Sequence, residues 1–353
     1  MTLTSNRPLN RPGAWAAALA AAFLFLAAVT VPPAGAAPAP GGSSTIGPGV
    51  QIMTPVPGQP GEYSQCTANF VFRSVSYTYR TVRYRTATGA LATRRVRVAH
   101  QHVYVGMAAH CVGAASNSDT STNGCDASTG SLPLGTTVYF YQGVSGGSSL
   151  LGLVSLSNGS NGHRIGSGVL RYSSWVAMKR AHTTNAATCS YNDLALVEVR
   201  AAYLHLVNPT VPYFGGPTKL AALPGVGASI YTVGNSSLRG TERSTSGTVN
   251  SHSTWSDLVT TSDPGVPGDS GSGYMNSAGQ AVGVLSTLDC SDPLCLTGQQ
   301  NGIGSLLSEV AFARTHGIST LTLTPGTAAF NPAGAGQATG TPSGSGGLLG
   351  GLL

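Results

Sequence analysis

Apolar and polar residues alternate in short stretches through the middle of the chain, the period of β-strands. Val71, Val75, Tyr77 and Tyr79 open the series, and Val82 and Tyr84 continue it. Val103–Tyr104–Val105 predicts a compact strand running into Ala108–Ala109–His110–Cys111, and Thr136 to Tyr141 predicts another, closed by Gly143. The segments Leu194–Val199, Ile230–Val233 and Ala281–Leu285 are apolar almost throughout, as in strands buried on both faces. Turns rich in Gly, Ser and Asn separate these runs, which predicts an all-β sandwich or barrel. Helical spacing is clearest late, over Leu306–Arg314, with Gly317 placed to end the helix.

Composition sharpens this picture. Of 353 residues, 41% are hydrophobic, enough to bury a core, while charged residues make up only 8%. The N-terminus has the order of an export signal. Arg7 and Arg11 precede an apolar stretch from Ala14 to Val31, then Pro32, Pro33 and the small run Ala34–Ala37. The expected organisation is a signal segment at 1–36 and a Pro/Gly/Ser-rich linker at 37–62. A folded domain at 63–318 and a disordered Gly/Ala/Ser/Pro-rich tail at 319–353 complete it. The apolar stretch is near the lower length limit for a membrane anchor. Cleavage after Ala36 is the better expectation, leaving a secreted chain with no stable membrane insertion. The six cysteines, Cys66, Cys111, Cys125, Cys189, Cys290 and Cys295, are even in number and fit disulfides in an exported protein. Spacing alone does not settle their pairing. No cluster has zinc-site spacing, and neither a metal nor a cofactor is expected.

Net charge is +6, part of it from Arg7 and Arg11. Arginines cluster at 80, 83, 85, 94, 95 and 97, interleaved with Tyr77, Tyr79 and Tyr84. A nucleic-acid surface is one reading. No recognised nucleic-acid motif accompanies the cluster, so an alternating strand pair with arginines on its wet face is preferred. No nucleic-acid partner is expected.

Acyl transfer to a serine needs a hydroxyl, a base to take its proton, a carboxylate to orient the base, and N–H groups for the oxyanion. Ser270 lies in Gly268–Asp269–Ser270–Gly271–Ser272–Gly273, whose glycines permit a tight turn and close substrate approach. Gly268 and Ser270 could offer N–H groups to one oxyanion. His110 follows a short strand and two alanines, which leave an imidazole room to face a cleft. Asp193 stands at the mouth of a very apolar strand, where a carboxylate needs a partner such as a histidine N–H. A thiol hydrolase using Cys111 is disfavoured, because adjacent side chains such as His110 and Cys111 diverge. The Gly-x-Ser-x-Gly elbow of an esterase is absent around Ser270.

These motifs, in the order His, Asp, Ser, resemble the chymotrypsin-like (trypsin-like) serine protease family, in the style of its secreted actinobacterial members. The resemblance spans roughly residues 63 to 318. It also includes a Cys-x-x-x-Phe first strand, Cys66–Thr67–Ala68–Asn69–Phe70. It implies two packed six-stranded antiparallel β-barrels with a C-terminal helix, a His110–Asp193–Ser270 triad in the cleft, and an oxyanion hole of Gly268 and Ser270. It further implies Cys66–Cys111 and Cys290–Cys295 disulfides, which leaves Cys125 with Cys189. Ser286, Thr287 and Leu288 would lie along the substrate, with the Ser286 hydroxyl facing Asp193. Pro264 would sit at the floor of the primary pocket, beside Asp263. The implied activity is that of a monomeric serine endopeptidase acting on proteins or peptides; the alternative is a catalytically silent binding protein of the same fold. No Ile-Val-Gly-Gly start is present whose freed amine would pair with Asp269.

Overall fold

The computed structural model describes residues 45–113, 123–126, 130–146, 153–155, 162–289 and 299–339. The signal segment and Cys290 and Cys295 lie outside these residues. Among the described residues, no helix is long and apolar enough to cross a membrane.

The N-terminal half builds one sheet. Its strands are β1 (Gln51–Pro55), β2 (Glu62–Thr67), β3 (Val71–Arg85), β4 (Leu91–Ala108), β5 (Thr137–Gln142), β6 (Leu153–Ser155), β7 (His163–Ser173) and β8 (Leu194–Val199). Two helices, α1 (Ser174–Arg180) and α2 (Ala186–Tyr191), fill the connection from β7 to β8. The C-terminal half supplies β9 (Ser229–Gly234), β10 (Arg243–His252), β11 (Ser256–Thr261), β12 (Gly273–Asn276), β13 (Ala281–Asp289) and β14 (Gln300–Ser305). These six close into a barrel in the order β10-β11-β14-β13-β12-β9. Helix α3 (Leu306–His316) follows, and a short strand β15 (Thr322–Leu323) returns to the first sheet.

The architecture is thus all-β with two antiparallel units and a C-terminal helix, as expected. The first unit has nine strands, ordered β15-β3-β4-β8-β7-β5-β1-β2-β6, where six were anticipated. The nearly continuous apolar run of β8 has a simple cause. Ala195, Val197 and Val199 face one core with Ile52, Val105 and Met107, while Leu194 and Leu196 face another with Leu306 and Val310 of α3. Alternate side chains leave a strand on opposite faces, and here both faces are covered.

Three boundaries differ from expectation. Residues 46–62 are not a linker: Ile46, Ile52 and Met53 are fully buried, and β1 pairs with β2 and β5. Apolar side chains within a Pro/Gly-rich segment anchor it against the core. Nor is the stretch from 319 to 339 a disordered tail. Leu321 is buried, β15 pairs with β3, and Phe330 packs against Phe214 and Tyr231. The compact strand expected around Val103–Val105 is the end of an 18-residue strand, β4, paired along its length with the 15-residue β3.

Candidate active site

The end of β4 and the start of β8 place two of the three predicted residues. These strands run antiparallel with Ala108 opposite Leu194, so His110 and Asp193 leave the sheet at the same edge. Past Ala108 the chain tightens into a 3-10 turn, Ala109–Val112. The Ala109 N–H donates to the Asp193 carbonyl at 2.8 Å, and the Cys66–Cys111 disulfide ties the turn to β2. The Cys125–Cys189 disulfide is also present. Cys66, His110 and Cys111 place potential ligand atoms within 4.8 Å of one another. Both sulfurs are committed to the disulfide, so thiolate ligation of a metal there would require reduction.

Asp193 is fully buried and bonded on every side. Its Oδ1 accepts the His110 backbone N–H at 2.8 Å, and its Oδ2 lies 2.7 Å from His110 Nδ1. The Ser286 hydroxyl donates to Oδ2 at 2.6 Å. Ser286 reaches it because the register of β13 against β14 shifts between Leu285 and Thr287, a bulge that re-aims one side chain. With Nδ1 engaged, Nε2 is the ring nitrogen left to exchange a proton. Enclosure pulls the His110 pKa down, but the charge and hydrogen bond of Asp193 together outweigh it, and the net position is above the usual 6.5.

Sequence reasoning missed a fourth group behind this pair. Glu309, fully buried on α3, accepts the Asp193 backbone N–H through Oε1 at 2.9 Å. Burial pushes its pKa up to about 8, the Asp193 N–H working against the shift and the Asp193 charge adding to it. The shift favours the neutral acid near pH 7, and Glu309 Oε2 has no hydrogen-bond partner among the described residues. Its one sequence signal is an acid on the apolar face formed by Leu306, Val310 and Ala313. Glu309→Gln keeps shape, neutrality and acceptor, and is expected to retain activity and melting temperature. Glu309→Leu leaves a buried N–H unpaired and is expected to lose about 1–3 kcal/mol of stability, with kcat falling more than KM rises. Thermal melts and steady-state kinetics on the pair of variants check this.

Ser270 sits half-exposed in the turn between β11 and β12. Its carbonyl accepts the Thr67 N–H at 2.9 Å. Gly271, with φ +88°, packs so closely that a Cβ would stand 2.6 Å from the Thr67 oxygen and 2.8 Å from the Ala108 nitrogen. The serine turn is thus pressed onto the strand end that carries His110. No hydrogen bond joins Ser270 Oγ to His110 in this structure.

The peptide planes around Ser270 have a defined sense. The Pro267 carbonyl accepts the Ser236 hydroxyl at 2.5 Å, and the Asp269 carbonyl accepts Ser272 through its N–H at 3.0 Å and its Oγ at 2.6 Å. In a trans peptide N–H and C=O point oppositely. The Gly268 and Ser270 N–H groups therefore point away from those anchors, and neither has an acceptor among the described residues. Gly268 adopts φ +98°, with its own carbonyl held by Gln65 Nε2 at 3.0 Å and Thr67 Oγ1 at 2.8 Å.

Asp269 points inward. It accepts N–H groups of Ser236 and Val266, both at 3.0 Å, and lies 3.8 Å from Arg239 Nε. Burial raises its pKa to about 6 against the opposing pull of Arg239. No freed N-terminal amine was expected to pair with Asp269, and Arg239 supplies the countercharge here. It also pairs with Asp263 and donates to the Pro264 carbonyl. Asp263 is held by Arg243 as well, at 3.2 Å. Beside it, Gly265 faces Leu285, Asn301 and Leu288, each within 3.4 Å of where a Cβ would stand. Thr287 packs its hydroxyl against Gly302.

A closed six-strand barrel, a second antiparallel sheet, and a His–Asp pair at the edge where the serine turn docks define one architecture. The fold is that of chymotrypsin-like serine proteases. No family model matches the chain, and no curated protein is significantly similar to it in sequence. Among solved structures, the chain is similar to a glutamic-acid-specific serine protease that uses a histidine triad in substrate binding. Identity is 18%, coverage 78% of this chain and 99% of that one, and the TM-score 0.36. A scabies mite inactivated protease paralogue gives 12%, 74%, 88% and 0.38 for the same quantities. An HtrA-type protease solved with a decapeptide gives 11%, 71%, 62% and 0.31, so the chain spans under two thirds of that protein. These scores are low, and the strand order and geometry above carry the fold assignment.

Proposed function

We propose that the protein is a secreted serine endopeptidase with His110, Asp193 and Ser270 as its triad. The observation that carries this is the buried Asp193 bridging the His110 backbone, His110 Nδ1 and the Ser286 hydroxyl. A carboxylate so held fixes the tautomer that leaves Nε2 basic. In the first step the Ser270 Oγ–H bond breaks as Oγ bonds the scissile carbonyl carbon, and His110 Nε2 takes the proton. The carbonyl oxygen gains the negative charge and is met by the N–H groups of Gly268 and Ser270. The C–N bond then breaks, His110 protonates the leaving amine, and water repeats the sequence on the acyl-enzyme. The N-terminal signal pattern and the disulfides support export.

One observation favours the second reading, a silent binding protein: Ser270 Oγ is not hydrogen-bonded to His110. Catalytic hydrogen bonds commonly tighten only when substrate binds. A fluorophosphonate probe separates the readings, since it labels Ser270 in the protease and leaves a silent protein unlabelled.

Substrate preference follows from the pocket positions. Asp263 is tied to Arg239 and Arg243, so it is not a free carboxylate for a basic side chain, and Leu288 lies close over Gly265. Cleavage after small or medium apolar residues is expected from a peptide library. Strong cleavage after Arg or Lys would refute it.

A further inference from the structure

The hairpin β3–β4 outruns the sheet it belongs to. β8 covers β4 only over Tyr104–Ala108, and β15 covers β3 only at Phe72 and Arg73. A further clasp, from the Thr320 hydroxyl to the backbone of Val75, ends the support. Beyond it the two strands pair only with each other, down to Arg85 opposite Leu91. From Ser76 to Arg85 every residue but Val82 is exposed. The arginines were expected on the wet face of an ordinary strand pair. Instead both faces of the arm meet solvent.

Its charge is one-sided. Between Glu62 and Asp119 the sequence holds seven arginines and no acidic residue. Residues directly opposite in an antiparallel pair share a face. Arg97 lies opposite Tyr79, Arg95 opposite Thr81, Arg83 opposite Thr93, and Arg85 opposite Leu91. One face therefore carries one arginine on each of four successive rungs, about 6.7 Å apart at ~3.3–3.4 Å per residue. None of the four pairs with a carboxylate among the described residues. Arg97 lies over the Tyr77 ring at 3.4 Å and Arg95 over the Tyr79 ring at 5.1 Å, contacts that hold the guanidinium groups in place. The other face alternates Arg80 and Arg94 with Val82, Val96 and Val98. Guarding the hairpin's open edges against strand pairing needs charge, but not a ladder on one face.

We propose that this ladder binds a linear anionic polysaccharide, whose repeated carboxylates or sulfates bridge successive guanidinium groups. Guanidinium is the side chain suited to such oxyanions. The same face argues against nucleic acid. Sequence-tolerant binding of single strands combines a basic groove with open aromatic faces on which successive bases stack. Here guanidinium groups already lie over Tyr77 and Tyr79. Along β4 the nearest rung of the ladder is roughly 35 Å from Ala108, so it tethers without touching the site. This inference rests on the hairpin and not on the proposed protease activity.

The test compares two double variants of equal charge on opposite faces of the arm, Arg83→Gln with Arg85→Gln, and Arg80→Gln with Arg94→Gln. Heparin oligosaccharide serves as the probe, in titrations across a salt series. The ladder variant is expected to bind roughly fivefold to tenfold more weakly, with a shallower dependence on salt. The opposite-face variant should change less than twofold, and both should keep the parent's melting temperature. Equal losses in the two variants, or no heparin binding by the parent, would overturn the proposal. So would tighter parental binding to single-stranded DNA of matched length.

Discussion

Ser270→Ala is expected to lower kcat for peptide hydrolysis by roughly five to six orders of magnitude, the scale seen when a triad serine is removed. The variant should be clean. Ser270 is half-exposed, and among the described residues its side chain makes no hydrogen bond whose loss would unsettle the fold. The contacts that place the turn come from backbone: the Thr67 N–H on the Ser270 carbonyl at 2.9 Å, and the Gly271 N–H on the Leu285 carbonyl at 2.8 Å. Alanine keeps both. Melting temperature should therefore hold while activity collapses and fluorophosphonate labelling is lost. The oxyanion donors remain in the variant, so a residual rate of about 10³–10⁴ over water is expected. Full retention of turnover and labelling would remove Ser270 from the chemistry and leave His110 and Asp193 as a structural pair.

The sequence exposed the parts of this site that are contiguous in the chain and hid those that meet only in space. His110 and Asp193 could be read because each stands at the end of a strand whose apolar character is plain, Val103–Val105 before one and Leu194–Val199 after the other. Pairing those strands brings the two residues to one edge without further help. Glu309 could not be read, because its partner is 116 positions away and its helix carries no other sign of function. Arg239 is similar: its link to Asp269 depends on a loop before β10 folding under the serine turn. Composition misled where a few anchors outweighed it. Ile46, Ile52 and Met53 fix a segment otherwise rich in Pro and Gly, and Leu321 and Phe330 do the same near the C-terminal end. Helices α1 and α2 escaped notice because they are short and because α1 follows β7 without a break. Alternation along Val71–Tyr84 gave the strand correctly but said nothing of which faces would be covered. That depends on how far β8 and β15 reach.

Asp193→Asn should cost about four orders of magnitude in kcat near neutral pH, and its pH profile is the sharper test. In the parent, His110 must be neutral to accept the Ser270 proton, so activity rises with pH through the His110 pKa. Enclosure lowers that pKa, and Asp193 more than restores it, leaving the midpoint above 6.5. Removing the Asp193 charge deletes the opposing influence while enclosure stays, so the midpoint should move to lower pH. Two structural consequences act with it. An amide at 193 offers one acceptor oxygen where the carboxylate offers two, yet the His110 N–H, His110 Nδ1 and the Ser286 hydroxyl all converge there. If the amide nitrogen takes the Oδ2 place, it donates to Nδ1 and turns the imidazole to the tautomer with its proton on Nε2. That nitrogen then cannot accept from Ser270, which explains a large kcat loss in a folded protein with little change in KM. Stability should move the same way at low pH. A raised histidine pKa means the charged His110–Asp193 pair supports the fold fully below pH 6.5, and that support fades as pH climbs through the higher folded value. The asparagine variant lacks the charged pair, so its melting temperature should fall below the parent's most at acid pH and least at alkaline pH. A kcat/KM profile with an unmoved midpoint, or a stability gap that widens with pH, would show that Asp193 does not set the charge state of His110.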